Sequence, residues 1–291
     1  MAVVMITGCS SGFGEAAALE FARRGHRVFA TVRKQNDADA LATRARAAGV
    51  ALETLLLDVT DRRAITAAVG QVIAIGARID VLVNNAGVNA LGSFEDMLEA
   101  DLERAMQTNF YGPVWLTRAV LPYMRAQGGG RIIMVSSLSA LIGLPGDSFY
   151  CASKAALQNA AEGLRHEVSR FGIHVSVIEP GLFRTRMPEK TAAGGSFPPG
   201  SPYAPLIDFL VARSQSRLDA GDDPRRIAVL LADIAEIEHP EFRYPAGPQA
   251  EQVVAKLDSL TRQERDALIP SINDTEWWSA CADTPSNRGS P

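Results

Sequence analysis

The sequence predicts an α/β fold: a doubly wound parallel sheet with helices on both faces, built as one domain. Two observations carry this reading. Short apolar runs recur from Ala2 to Pro180, and alanine-rich stretches long enough for helices lie between them. The runs are unbroken rather than alternating, the pattern of strands buried on both faces, and such burial needs a helical layer above and below the sheet. With 291 residues, 47% of them hydrophobic, the chain can fill a core of that kind.

Taken in order, AVVMI (2–6) is the first strand and leads through a glycine-containing turn into a helix over 14–24. RVFATV (27–32) precedes a helix at 36–48, and ALETLLL (51–57) precedes one at 61–75. IDVLVNN (79–85) is followed by a long helical segment, 95–127, then GRIIMVSS (130–137), a helix at 148–171 and IHVSVIEP (173–180). All six runs are expected to be buried strands. From Glu189 to Ala204 the chain reads EKTAAGGSFPPGSPYA, a Gly/Pro-rich excursion expected outside the core, and ADTPSNRGSP at the end has the composition of a frayed tail. The expected organisation is a catalytic domain over 1–245, with a substrate lid at about 186–221, and a C-terminal extension over 246–291.

A net charge of −4 and the lack of a basic block argue against nucleic acid or an anionic membrane as partner. Cys9, Cys151 and Cys281 are scattered, without metal-type spacing, which fits a thiol-reducing compartment. His166 and Glu167 give HEVSR, which lacks the second histidine of a zinc-protease motif, so no metal is expected. No apolar run reaches the length of a membrane span, and strand material begins at Ala2 without a basic leader. A soluble cytoplasmic protein is expected.

VVMITGCSSGFGEAAALEF places Gly8, Gly12 and Gly14 between the first strand and the first helix. Glycines there allow a tight turn and let a dinucleotide pyrophosphate approach the backbone at a helix N-terminus, as in Rossmann-type sheets. The spacing is TGxxxGxG, not the commoner GxGxxG. Further along, SFYCASKAAL sets Tyr150 and Lys154 one helical turn apart on one face. An ammonium beside a phenol favours the phenolate, so the Tyr150 pKa is expected to fall.

The chain resembles the short-chain dehydrogenase/reductase family from Ala2 to about Tyr244, closest in wording to hydroxysteroid and retinol dehydrogenases. The marks occur in order: Thr7–Gly14, Asp58, NNAG at Asn84–Gly87, Asn109, Ser137, YxxxK at Tyr150–Lys154 and PGxxxT at Pro180–Thr185. The resemblance implies that Tyr150 moves the proton, that Lys154 lowers its pKa and holds the nicotinamide ribose, that Ser137 bonds the substrate oxygen, and that Asn109 supports a water chain to Lys154. It implies a dinucleotide contacted by Thr7, Gly8, Ser10, Ser11, Gly12, Phe13 and Gly14 in the first turn. Asp58 and Val59 would meet the adenine, Asn85, Ala86 and Gly87 the riboses, and Pro180, Gly181, Phe183 and Thr185 the nicotinamide side. For Asp58 a helix N-cap is the competing reading.

The second strand ends with Val32 where NAD-preferring relatives carry an acid, and Arg33 and Lys34 follow. An arginine can pair with a 2′-phosphate, so NADP is the expected cofactor. Leu144, Phe149, Leu182 and Met187 are expected to line the pocket with Ser137 and Tyr150, and Leu141, Phe183, Phe197 and Tyr203 are further apolar candidates. They favour a small hydrophobic ketone, aldehyde or alcohol. A non-catalytic NADP-binding sensor and an epimerase or dehydratase of the same superfamily are the alternatives. Trp277 and Trp278 are expected to dock on their own subunit. Small residues such as Ala152, Ala156 and Ala160 point to a homodimer or homotetramer built on segments 95–127 and 148–171.

Overall fold

The computed structural model describes residues 1–89, 91–185, 198–219 and 221–279. Seven strands, β1 (Val3–Ile6), β2 (Arg27–Val32), β3 (Glu53–Leu56), β4 (Val81–Asn84), β5 (Gly130–Val135), β6 (Ile173–Pro180) and β7 (Arg243–Ala246), form one sheet in the order β3-β2-β1-β4-β5-β6-β7. Every neighbouring pair is parallel. The strand order reverses between β1 and β4, where a doubly wound sheet opens a crevice at its C-terminal edge.

β1 shows why the apolar runs are unbroken. Val3 and Met5 enter one core with Phe29, Val72, Leu116 and Val120, while Val4 and Ile6 enter the other with Phe21, Val28, Leu41 and Leu231. The helices covering these faces are α1 (Gly12–Arg23), α2 (Gln35–Ala47), α3 (Arg62–Gly76), α4 (Glu99–Met106), α5 (Gly112–Ala126) and α6 (Ser148–Val168). The chain then adds α7 (Ala204–Asp219), α8 (Pro224–Glu236), α9 (Pro248–Asp258), α10 (Arg262–Ile272) and α11 (Glu276–Ser279). Among the described residues no helix is long and apolar enough to cross a membrane, and no cluster of side chains could hold a metal.

Four points need correction. ALETLLL is not buried on both faces: β3 is an edge strand and Leu56 is 52% exposed, because only β2 lies beside it. The segment 95–127 is not one helix. It begins at Glu99 and is broken by a π-helical turn, Gln107–Tyr111, before α5. RYPA forms β7, which apolar patterning could not reveal, because a half-exposed edge strand can carry an arginine and a proline. The N-cap considered for Asp58 belongs to Asp61, whose Oδ1 accepts from Arg63 N at 2.8 Å and Ala64 N at 3.2 Å.

Candidate active site

The turn after β1 and the loop after β4 are joined by a backbone-level brace. Thr7 Oγ1 accepts from the amides of Asn85 and Ala86, both at 2.9 Å. Asn85 Nδ2 donates back to the Thr7 carbonyl at 2.7 Å and the Gly8 carbonyl at 3.3 Å. This closeness explains two glycines. Gly8 has φ +73, and a Cβ on it would lie 2.8 Å from Ala86 Cα. A Cβ on Gly14 would lie 2.5 Å from both Asn85 Nδ2 and the Gly8 oxygen. Thr7 and Asn85 are thus spent on holding the turn, while the backbone of Gly8–Gly14 forms the open edge. Ser11 is the N-cap of α1 and makes no side-chain capping bond, so the first N–H groups of the helix remain available to an anion. Ser10, Gly12 and Phe13 are partly buried in the same turn. These features fit a dinucleotide pyrophosphate.

At the end of β2, Val32 is buried, and Arg33 and Lys34 are exposed with neither in an ion pair among the described residues. Asp58 is exposed after β3, its Oδ1 accepting from Thr60 N and Oγ1 at 2.9 and 2.7 Å. Val59 is buried against Gly112, whose added Cβ would come within 2.9 Å of it. On the other side of the crevice, Thr185 stands beside Gly12, with its Cγ2 at 3.5 Å from where a Gly12 Cβ would be. The Pro180–Gly181 bend is held by α9, where Gln249 Oε1 accepts from Leu182 N at 3.0 Å. Phe183 is buried and its ring packs edge-on against Phe13 at 5.2 Å, so both rings serve packing.

Asn109 and Lys154 meet beside Gly87, and Lys154 in turn neighbours Tyr150, which Ser137 bonds. A Cβ on Gly87 would lie 3.4 Å from Asn109 Oδ1 and 3.5 Å from Lys154 Nζ. Asn109 sits in the π-helical turn, fully buried. Its Oδ1 accepts from Val88 N at 2.8 Å, and its Nδ2 donates to the Val88 carbonyl and Ser153 Oγ, each at 2.9 Å. Ser137 accepts from Ser139 N at 3.1 Å and bonds the Tyr150 phenol in the sense that favours the phenolate.

The expectation that Lys154 lowers the Tyr150 pKa is not met in this structure. Burial pushes the phenol up to about 12; the Ser137 bond opposes this, and the Asp147 and Cys151 charges add to it. Burial also brings Lys154 down to about 8. Its Nζ donates to the Val135 carbonyl at 2.9 Å and stands 5.8 Å from the Tyr150 ring centre. Desolvation disfavours the charged form of both groups.

On the substrate side, Leu141, Leu144, Phe149 and Leu182 are partly buried, and Phe149 packs on the exposed Phe94 ring at 4.8 Å. Met187 and Phe197 lie outside the described residues. Helix α7 reaches the turn before α6, where a Cβ on Gly146 would meet Leu210 at 2.7 Å. The C-terminal segment then clasps α7: Arg213 donates to the Ile272 and Asn273 carbonyls and pairs with Asp274, and Trp277 packs on Phe209 at 5.6 Å. Trp278 lies 6.3 Å from Tyr203, so the two tryptophans dock on their own chain. Sequence patterning missed this clasp, since its partners lie tens of residues apart; the paired tryptophans were the one visible signal.

A glycine turn at the strand-order reversal of a seven-stranded parallel sheet defines the class: a Rossmann-type doubly wound fold. The comparisons with known proteins narrow it. Residues 2–194 match the family model described as short chain dehydrogenase, and the chain belongs to that family. It is 34% identical over 259 residues to a 3-ketodihydrosphingosine reductase of Bacteroides thetaiotaomicron, covering 88% of this chain and 92% of that protein. It is likewise 34% identical over 259 residues to human 17-beta-hydroxysteroid dehydrogenase type 1, covering 83% of this chain and 76% of the relative. A short-chain dehydrogenase from Streptomyces avermitilis superposes with a TM-score of 0.76 at 33% identity, covering 97% and 98% of the two chains. A metagenomic short-chain oxidoreductase in complex with NADP gives 0.67 at 28% identity, covering 84% and 95%.

Proposed function

We propose that the protein interconverts an apolar ketone or aldehyde and its alcohol with NADP(H), Tyr150 exchanging the proton with the substrate oxygen. The observation that carries this is the chain of neighbours Ser137–Tyr150–Lys154, with Lys154 and Asn109 both beside Gly87 in the loop that Thr7 braces to the Gly8–Gly14 turn. The nicotinamide supplies or accepts the hydride when bound. Ser137 would orient the substrate oxygen towards the phenol; Lys154 would hold the ribose, Asp58 the adenine and the backbone near Thr185 the nicotinamide.

The NADP reading is supported by Arg33 and Lys34, exposed after the buried Val32, and by the NADP complex of a relative. An apolar substrate is supported by Leu144, Phe149 and Leu182, and by relatives named for sphingoid and steroid substrates. Assembly through α5 and α6 into a homodimer or tetramer completes the reading; a light-scattering mass of 31.1 kDa, that of one chain, would refute it. The direct test is a panel of long-chain, steroid and retinoid carbonyls with NADPH and NADH, followed at the nicotinamide absorbance. Turnover of apolar carbonyls with NADPH preferred supports the reading, and equal use of both cofactors refutes its cofactor half.

A further inference from the structure

Asp147 stands three residues before Tyr150, at the N-cap of α6, and behaves unlike an N-cap. Aspartate at that place ordinarily accepts from the helix's first N–H groups, yet this side chain makes no capping bond. Its carboxylate is instead bonded by the Asn89 side chain, and Oδ1 is buried without a partner. A buried, half-satisfied carboxylate is costly and calls for a reason. The backbone is fixed on both sides: Asp147 N donates to the Leu144 carbonyl at 3.1 Å, and Cys151 N donates to the Asp147 carbonyl at 2.9 Å. The loop carrying Asn89 is tied to the same turn by Gly92 N, which donates to the Gly146 carbonyl at 2.8 Å.

The titratable groups that feel this carboxylate are Tyr150 and Cys151, both on α6. From the loop after β4 comes the neutral Asn89, while Glu95 and Asp96 farther along are bonded to Tyr203 and Ser201. Helix α7 brings the apolar Ile207 and Leu210 against Gly146, and its Asp208 is exposed. Lys154 is held on the Val135 carbonyl. No cation pairs with Asp147 among the described residues.

We propose that Asp147 is a positioning residue for proton transfer: its negative charge opposes the Tyr150 phenolate and so sets the pH window in which Tyr150 remains a proton donor. This rests on the reading of Tyr150 as the acid–base group. Burial raises the Asp147 carboxyl to about 7, so the charge switches on near neutrality.

The test uses Asp147→Asn, which keeps the shape and removes the charge. In the pH profile of kcat/KM for carbonyl reduction, the alkaline limb should move down by about one unit, a tenfold loss at pH values beyond it. A second readout needs no turnover. The folded protein keeps a proton on Asp147 that the unfolded chain loses at its ordinary 3.8, so wild-type stability falls as pH rises from there to about 7. The Tm advantage of Asp147→Asn over wild type should therefore grow across that window and level off above it. Asn89→Ala removes the amide that favours the carboxylate, and should carry the wild-type inflection to higher pH while leaving the alkaline limb in place. An unmoved limb in Asp147→Asn, with Tyr150→Phe inactive, overturns the proposal but keeps Tyr150 as acid–base. An active Tyr150→Phe overturns the reading of the site itself. Should Asp147→Asn fail to fold, an unshifted inflection in Asn89→Ala decides against the proposal.

Discussion

The two sides of the crevice are built differently. On the dinucleotide side, the Gly8–Gly14 turn is fixed by Thr7 and Asn85 through bonds to main-chain atoms, and added Cβ atoms would collide with backbone. On the substrate side, α7 is held by rings and long side chains: Trp277 on Phe209, Trp278 near Tyr203, Arg213 on the carbonyls of Ile272 and Asn273. Main-chain bracing tolerates no side-chain change at its glycines and leaves little freedom. Side-chain clasping can be retuned one residue at a time, which would suit the substrate-facing role proposed for this side. Helix α6, which carries Tyr150 and Lys154, starts just after the Gly146 turn that α7 packs on.

The largest effect should come from α6. Tyr150→Phe should lower kcat by about a hundredfold to ten-thousandfold, the usual contribution of a general acid–base group, with NADPH binding by fluorescence titration unchanged. Next is the braced side: Gly14→Ala should cost about 1–3 kcal/mol in chemical denaturation, because its Cβ meets the Gly8 oxygen at 2.5 Å. It should weaken both cofactors equally. Arg33→Ala should instead discriminate between them, reducing kcat/KM for NADPH about tenfold to a hundredfold with NADH unaffected, as expected for a charge-assisted bond worth about 1.5–3 kcal/mol. The smallest effect belongs to the clasp. Trp277→Ala should remove one aromatic contact, worth about 0.5–1.5 kcal/mol, and raise KM for bulky apolar carbonyls a fewfold without altering NADPH binding. Weakened NADPH binding in that variant would erase the distinction between the two sides.

The contrast also explains what could be read from the chain. Core strands need continuous apolar residues and tight turns need glycine, so β1, β2, β4, β5 and β6 and the Gly8–Gly14 turn were legible in short stretches, and β3 as an apolar run although it lies at an edge. β7 was not, because an edge strand buried on one side tolerates Arg243 and Pro245. Asn109 was legible as a motif residue, but not as part of a π-helical turn, because helical periodicity runs unbroken through QTNFY.

The sequence by itself determined the parallel sheet, the position of the glycine turn and the spacing of Tyr150 and Lys154, since each depends on residues close together in the chain. The tertiary structure alone decided the electrostatics of that pair. Burial and the approach of Asp147 raise Tyr150, while Val135 takes the Lys154 ammonium, so the local reading of a lowered phenol pKa had the wrong sign. Likewise, only folding showed that Asn85 is a brace and that the C-terminal tryptophans grip α7. Desolvation and long-range contact depend on what surrounds a residue in space, and a residue's neighbours in sequence do not fix that.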